Sequence, residues 1–133
     1  MPSEISVPIE REHDIVTARQ AGRELAAALG FSSTDQTLLA TAISEIARNI
    51  VTYAGKGTIA VGRVDRDGRA GVVVIARDDG PGITDIELAM RDGYSTGKSL
   101  GVGLPGTRRL VDEFELVSAP GAGTTVTLKK WLR

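Results

Sequence analysis

Two short stretches of this chain place polar residues where they could do chemistry. The first is "EIARN", residues 45–49, in which Glu45 and Asn49 stand four apart. On a helix such positions share one side, and both border the apolar stripe of Leu38, Leu39, Ala42, Ile43, Ile46 and Ile50. A carboxylate and an amide turned inward are costly unless polar partners, such as a metal ion or bound water, satisfy them. The second is "DDGPG", residues 78–82, where an acid emerges from an apolar run into a turn too rich in glycine for side-chain packing. Asp78 and Asp79 are the two acids of this turn.

A third stretch, "GYSTGKSLGVGLPG" (93–106), holds two near-matches to phosphate loops. From Gly93 it is a Walker A loop one residue short, and the residues before it read as helix instead of the buried strand that motif requires. From Gly101 it fits G-x-G-x-x-G letter for letter, but it lacks the preceding hydrophobic strand and the acid about twenty residues further on. What survives is the physics common to both. Glycines let backbone N–H groups approach an anion, and a helix N-terminus follows directly, so a phosphorylated ligand is expected here. Lys98 is the one cation between Gly93 and Gly103 and could reach a phosphate.

The elements that must position these groups follow from periodicity. "ISVPI" (5–9) predicts an edge strand, with Pro8 excluding a central one. Apolar residues at helical spacing predict a helix over 14–29 stopped by Gly30, and a second over 35–54 with Ser33 as N-cap and Gln36 completing a capping box. Strands over 58–64 and 70–77 flank "DRDG", a hairpin signal. A short helix over 85–92, a third main helix over 104–114 with Pro105 in its first turn, and strands over 114–118 and 124–132 complete the chain. The order β-α-α-β-β-α-β-β lacks strict alternation, so the pattern predicts a mixed sheet with helices on one face.

Composition narrows the function. The 133 residues predict a single domain, 41% hydrophobic and 25% charged, with net charge −1. No basic run interleaved with aromatics is present, which argues against a nucleic-acid partner. No apolar run approaches the about 20 residues of a membrane span, and the acidic, polar start is unlike a signal peptide, so a cytoplasmic protein is expected. Zero cysteines exclude thiolate metal sites and cysteine nucleophiles, and a single histidine, His13, argues against a Ser-His-Asp triad and reads as a surface residue.

In order and rough spacing, "EIARN" (45–49), "DDGPG" (78–82), "GVGLPG" (101–106) and "GAGT" (121–124) resemble the four motifs of the GHKL ATPase family. That family comprises gyrase-type topoisomerases, heat-shock chaperones, histidine kinases and mismatch-repair ATPases. The resemblance implies the Bergerat fold, an α/β two-layer sandwich that binds ATP with Mg²⁺. It assigns Glu45 as general base and Asn49 as the Mg²⁺ ligand. Asp78 would accept from the adenine amino group, supported by the Thr124 hydroxyl, with Asp79 as the off-register alternative. Gly80 and Gly82 would let the chain pass the base, and Gly101, Gly103 and Gly106 would line the phosphates. The length points within the family to small bacterial serine/threonine kinases of the anti-sigma-factor type, and among those to the switch kinases of the stressosome. Their implied partners are STAS-domain proteins, which they phosphorylate, and a PP2C-type phosphatase, which they activate. The alternatives are an anti-sigma kinase that binds a sigma factor and a nucleotide-gated binding module with little catalysis.

Overall fold

The computed structural model describes residues 4–82 and 103–133. Strand β1 (Ile5–Ile9) leads into helices α1 (Glu12–Leu29) and α2 (Ser33–Asn49), a single π-helical turn (Ile50–Ala54), and strands β2 (Gly57–Arg66) and β3 (Arg69–Asp78). Helix α3 (Gly103–Arg109) and strands β4 (Glu113–Ser118) and β5 (Thr124–Trp131) follow. The sheet order is β1-β2-β3-β5-β4, and every pairing among the described residues is antiparallel.

Register explains why the helices occupy one face. The cross-strand row Val7, Ile59, Ala76, Val126, Leu116 is buried or nearly so, whereas the adjacent row Ser6, Ala60, Ile75, Thr127, Glu115 contains no buried residue. Successive side chains on a strand point to opposite faces, so only one face is covered. Ile15, Ala18 and Ala26 of α1 and Leu39, Ile43 and Ile46 of α2 complete the core against it. This is the expected two-layer sandwich.

Several boundaries differ from the periodicity. Helix α2 begins after Ser32, not Ser33: the Ser32 hydroxyl accepts from the Asp35 N–H at 3.1 Å, and Gln36 instead donates its amide to the Phe31 carbonyl at 2.9 Å. Phe31 is buried and anchors the chain just ahead of the cap. At its other end the regular helix stops at Asn49, and residues 50–54 form the π turn, with Gly55 N–H donating to the Ile50 carbonyl at 2.8 Å.

Helix α3 ends at Arg109 instead of running to 114. The next residues are already claimed by the sheet: Asp112 N–H donates to the Lys129 carbonyl at 3.0 Å, and the Asp112 carboxylate accepts from the Trp131 N–H at 2.7 Å. Buried Lys130 then donates to the Leu110 carbonyl just past α3 and lies 3.8 Å from Asp35 in the first turn of α2. The predicted helix over 85–92 lies outside the described residues.

At the far end of the sheet, Glu113 accepts two bonds from Arg66, at 2.7 and 3.3 Å, and one from the Trp131 indole at 2.8 Å. Arg66 also stacks 4.7 Å from the Trp131 ring centroid. The Arg66 and then the Trp131 hydrogen bonds hold the Glu113 carboxyl below the usual carboxylate range. Because the folded-state value is depressed, this contribution to stability is present above the ordinary value of 4.5 and is lost as pH falls through the folded value. Thermal melts between about pH 6 and pH 3 should therefore show a smaller acid-induced loss for Glu113→Gln than for the parent. Equal losses would remove Glu113 from the acid response.

Candidate functional site

The candidate site is built around the end of β3. Asp78 is the last residue of that strand and pairs with Gly57 on one side and Thr124 on the other, and Thr124 pairs in turn with Ser118. All four belong to the helix-covered face, two residues along from the buried row. Asp78 is half-buried, while Asp79 falls beyond the strand and is exposed. Pairing thus places Asp78, not Asp79, on the side where the helices stand. One Asp78 oxygen accepts from the Gly80 N–H at 2.9 Å, a local turn bond that fixes the carboxylate's direction.

Backbone packs tightly around this acid. A Cβ on Gly57 would come within 2.4 Å of the Arg77 carbonyl and 3.1 Å of the Asp78 Cβ, and one on Gly123 within 2.2 Å of the Asp78 carbonyl. Gly123 and Gly82 both have φ of +77°, where a side chain is strained as well as crowded. A Cβ on Gly82 would lie 2.0 Å from the Ala119 carbonyl, and Gly121 N–H donates to the Pro81 carbonyl at 2.7 Å. The "DDGPG" and "APGAG" turns are therefore bonded into one wall.

Thr124 belongs to that wall. Its hydroxyl is 2.8 Å from the Ser118 hydroxyl, which donates to the Gly123 carbonyl at 2.9 Å. With the Ser118 proton spent there, the Thr124 hydroxyl is the donor of the pair, and its own lone pairs serve as acceptors. Ser118 did not stand out in the sequence; the signal was its position opposite Thr124 across a five-residue turn.

The π turn joins this wall to the end of α2. A Cβ on Gly80 would be 2.6 Å from that of Ala54, and one on Gly57 2.9 Å from a methyl of Ile50. Ile50 immediately follows Asn49, so contact through Gly57 brings the last turn of α2 beside Asp78. On that turn Glu45 is only 5% exposed and Asn49 is half-buried, as their place beside the apolar stripe predicts. Arg48 falls on the polar side of the same helix and is one-third exposed, and its Nη1 lies 2.6 Å from Oε2 of Glu45.

The donor set suits a Mg²⁺ ion bound mainly through phosphates and water. Asn49 offers one neutral oxygen, and among the described residues no group of three acidic, His or Cys residues could cage a metal by itself. Mg²⁺ retains waters and takes few protein ligands when phosphates supply the others. Gly103 and Gly106 fall within the seven-residue α3. Lys98 and Gly101 lie outside the described residues.

Residues 34–133 match the profile of the histidine kinase-, DNA gyrase B-, and HSP90-like ATPases. The chain belongs to that ATPase family. Within the family it is 53% identical, over the whole of both chains, to the serine/threonine-protein kinase RsbT of Bacillus subtilis (strain 168). It is 33% identical to an anti-sigma F factor of Caldanaerobacter subterraneus, over 69% of this chain and 67% of the relative. Among solved structures, the whole chain superposes with a TM-score of 0.66 and 24% identity on a third (33%) of a Mycobacterium tuberculosis chain comprising the RsbU and RsbW domains of Rv1364c. The mycobacterial sensor histidine kinase MprB matches over 97% of this chain and 99% of its own, with a TM-score of 0.56 and 19% identity. Those two structures share the fold. The ATPase-family chain is thus RsbT-like in sequence from end to end, and among its described residues no helix is long and apolar enough to cross a membrane.

Proposed function

We propose that this chain is a cytoplasmic serine/threonine protein kinase that uses ATP and Mg²⁺ to phosphorylate a STAS-domain protein of the stressosome. Released from that partner, it activates a PP2C-type phosphatase in a pathway that controls a sigma factor. The observation that carries this reading is the end-to-end likeness to a serine/threonine-protein kinase.

Each residue has a definite task. The Asp78 carboxylate accepts from the adenine amino group and Thr124 supports it. Gly80 and Gly82 leave room for the base. Asn49 supplies an oxygen to Mg²⁺, and Lys98, Gly101, Gly103 and Gly106 attend the phosphates. When bound, the metal neutralises charge on the transferring phosphoryl group. Glu45 accepts the proton of the incoming serine or threonine hydroxyl.

The hydroxyl comes from a docked partner, so the isolated protein should turn ATP over slowly. With labelled ATP, Mg²⁺ and a candidate STAS protein, label should move to a Ser or Thr of that protein. The new charge of about −2 at the interface should weaken the complex. A complex with a PP2C-type phosphatase and none with a sigma factor marks the switch kinase. The anti-sigma reading is favoured by the 33% identity to an anti-sigma F factor, and tight sigma-factor binding without phosphatase contact would establish it instead. No label transfer to any STAS protein would leave a nucleotide-gated binding module.

A further inference from the structure

We propose that the Ala54 methyl group is the spacer between the adenine side and the metal side of the site, which makes Ala54 a positioning residue for ATP. The proposal rests on Asp78 taking the adenine and Asn49 the metal. Ala54 ends the π turn that begins directly after Asn49. A Cβ on Gly80 would meet the Ala54 Cβ at 2.6 Å and its Cα at 2.9 Å, so the two backbones stand as close as one methyl group between them allows. Gly80 in turn donates its N–H to the Asp78 carboxylate at 2.9 Å. A short path therefore runs from Asn49 along the π turn to Ala54, and through Gly80 to Asp78. Both residues of the contact are half-buried.

Space, not backbone conformation, is what demands a glycine at position 80. Its φ is not among the positive ones, so a side chain there meets no backbone strain. The nearest obstacles are Ala54 and, at 3.1 Å, an oxygen of the Asp78 carboxylate. ATP engages both sides of the site at once, whereas adenosine engages only the Asp78 side. Groups that must act together on one ligand have to be held within about 0.5 Å of their productive places. One methyl group at the joint sets that span. With two the joint must open, and with none it is slack.

The test moves the methyl group from one side of the joint to the other. Calorimetry on the full chain reads affinity for ATP with Mg²⁺ and for adenosine, and melting curves without nucleotide serve as the control. Gly80→Ala puts two methyl groups in the joint. The free variant relieves the overlap by opening it and ATP must close it again, so affinity should fall by about 5- to 150-fold, the equivalent of an overpacking cost. Ala54→Gly should show a smaller loss for ATP with parent-like affinity for adenosine. The double variant, Gly80→Ala with Ala54→Gly, again has one methyl group and should bind ATP at least about fivefold more tightly than Gly80→Ala alone. Glycine at position 54 lowers helix propensity, which only adds to the damage, so that recovery has no origin in stability. A double variant no better than Gly80→Ala would overturn the proposal, because the harm then comes from crowding of the Asp78 carboxylate or of the base. So would a parent-like Gly80→Ala, an Ala54→Gly that binds ATP like the parent, or one that loses as much affinity for adenosine as for ATP. Should Gly80→Ala fail to fold, Ala54→Gly decides alone. Parent-like ATP affinity in Asp78→Asn or Asn49→Ala is a separate outcome, which overturns the adenine or metal assignment and this proposal with it.

Discussion

Asp78→Asn is expected to weaken ATP binding by about 10- to 150-fold, the cost of roughly 1.5–3 kcal/mol for losing a hydrogen bond to a charged acceptor. The local geometry makes the effect directional. One Asp78 oxygen accepts from the Gly80 N–H, and in the variant only the amide oxygen can take over that bond. The NH₂ group must then face the adenine amino group, so two donors meet. Asn also forms this kind of turn, so the fold should be undisturbed. Calorimetry with ATP and Mg²⁺ reads the affinity, and a melting curve in the absence of nucleotide serves as the control. Parent-like affinity in a folded variant would remove Asp78 from the adenine site.

Glu45→Ala should separate binding from chemistry. Nucleotide affinity should persist, because Glu45 is not assigned to adenine, metal or phosphate, while transfer to the partner protein should fall by roughly 10²–10⁴-fold. The truncation frees Arg48, which is one-third exposed and can turn to water. Glu45→Gln is the closer isostere: its amide oxygen can still accept from Arg48, yet it cannot take a proton. Loss of transfer in both variants with retained nucleotide affinity is the expected pattern, and parent-like transfer in either would contradict the assignment.

The sequence made legible those features that depend on local chemistry. β1 keeps its predicted bounds because proline and alternation define an edge strand without reference to its neighbours. The hairpin turn resolves to Asp67 and Gly68, with φ of 52° and 79°, the left-handed pair that a two-residue connection needs. The inward turn of Glu45 and Asn49 followed from helical periodicity alone.

What stayed illegible depends on contacts between distant segments. The motif put Asp78 ahead of Asp79, but its place on the helix-covered face comes from pairing with Thr124, 46 residues away by their numbers. The early end of α3 is imposed by bonds from Asp112 to β5, although "LVDEF" continues a helical pattern. The π turn fits α2 against Gly57 and Gly80, and no residue within 50–54 announces it. The contact of Arg48 with Glu45 was not legible either, because a long side chain on a helix can fold back three residues as readily as it extends.

The most direct measurement is a crystal structure of the protein with a non-hydrolysable ATP analogue and Mn²⁺ in place of Mg²⁺, with anomalous data locating the metal. The account predicts a manganese peak within coordination distance of the Asn49 side-chain oxygen and the adenine amino group in hydrogen-bond contact with the Asp78 carboxylate. It also predicts the γ-phosphate on the side of the site that Glu45 faces. An adenine bound away from the Asp78–Thr124 row, or a metal that does not touch Asn49, would contradict it.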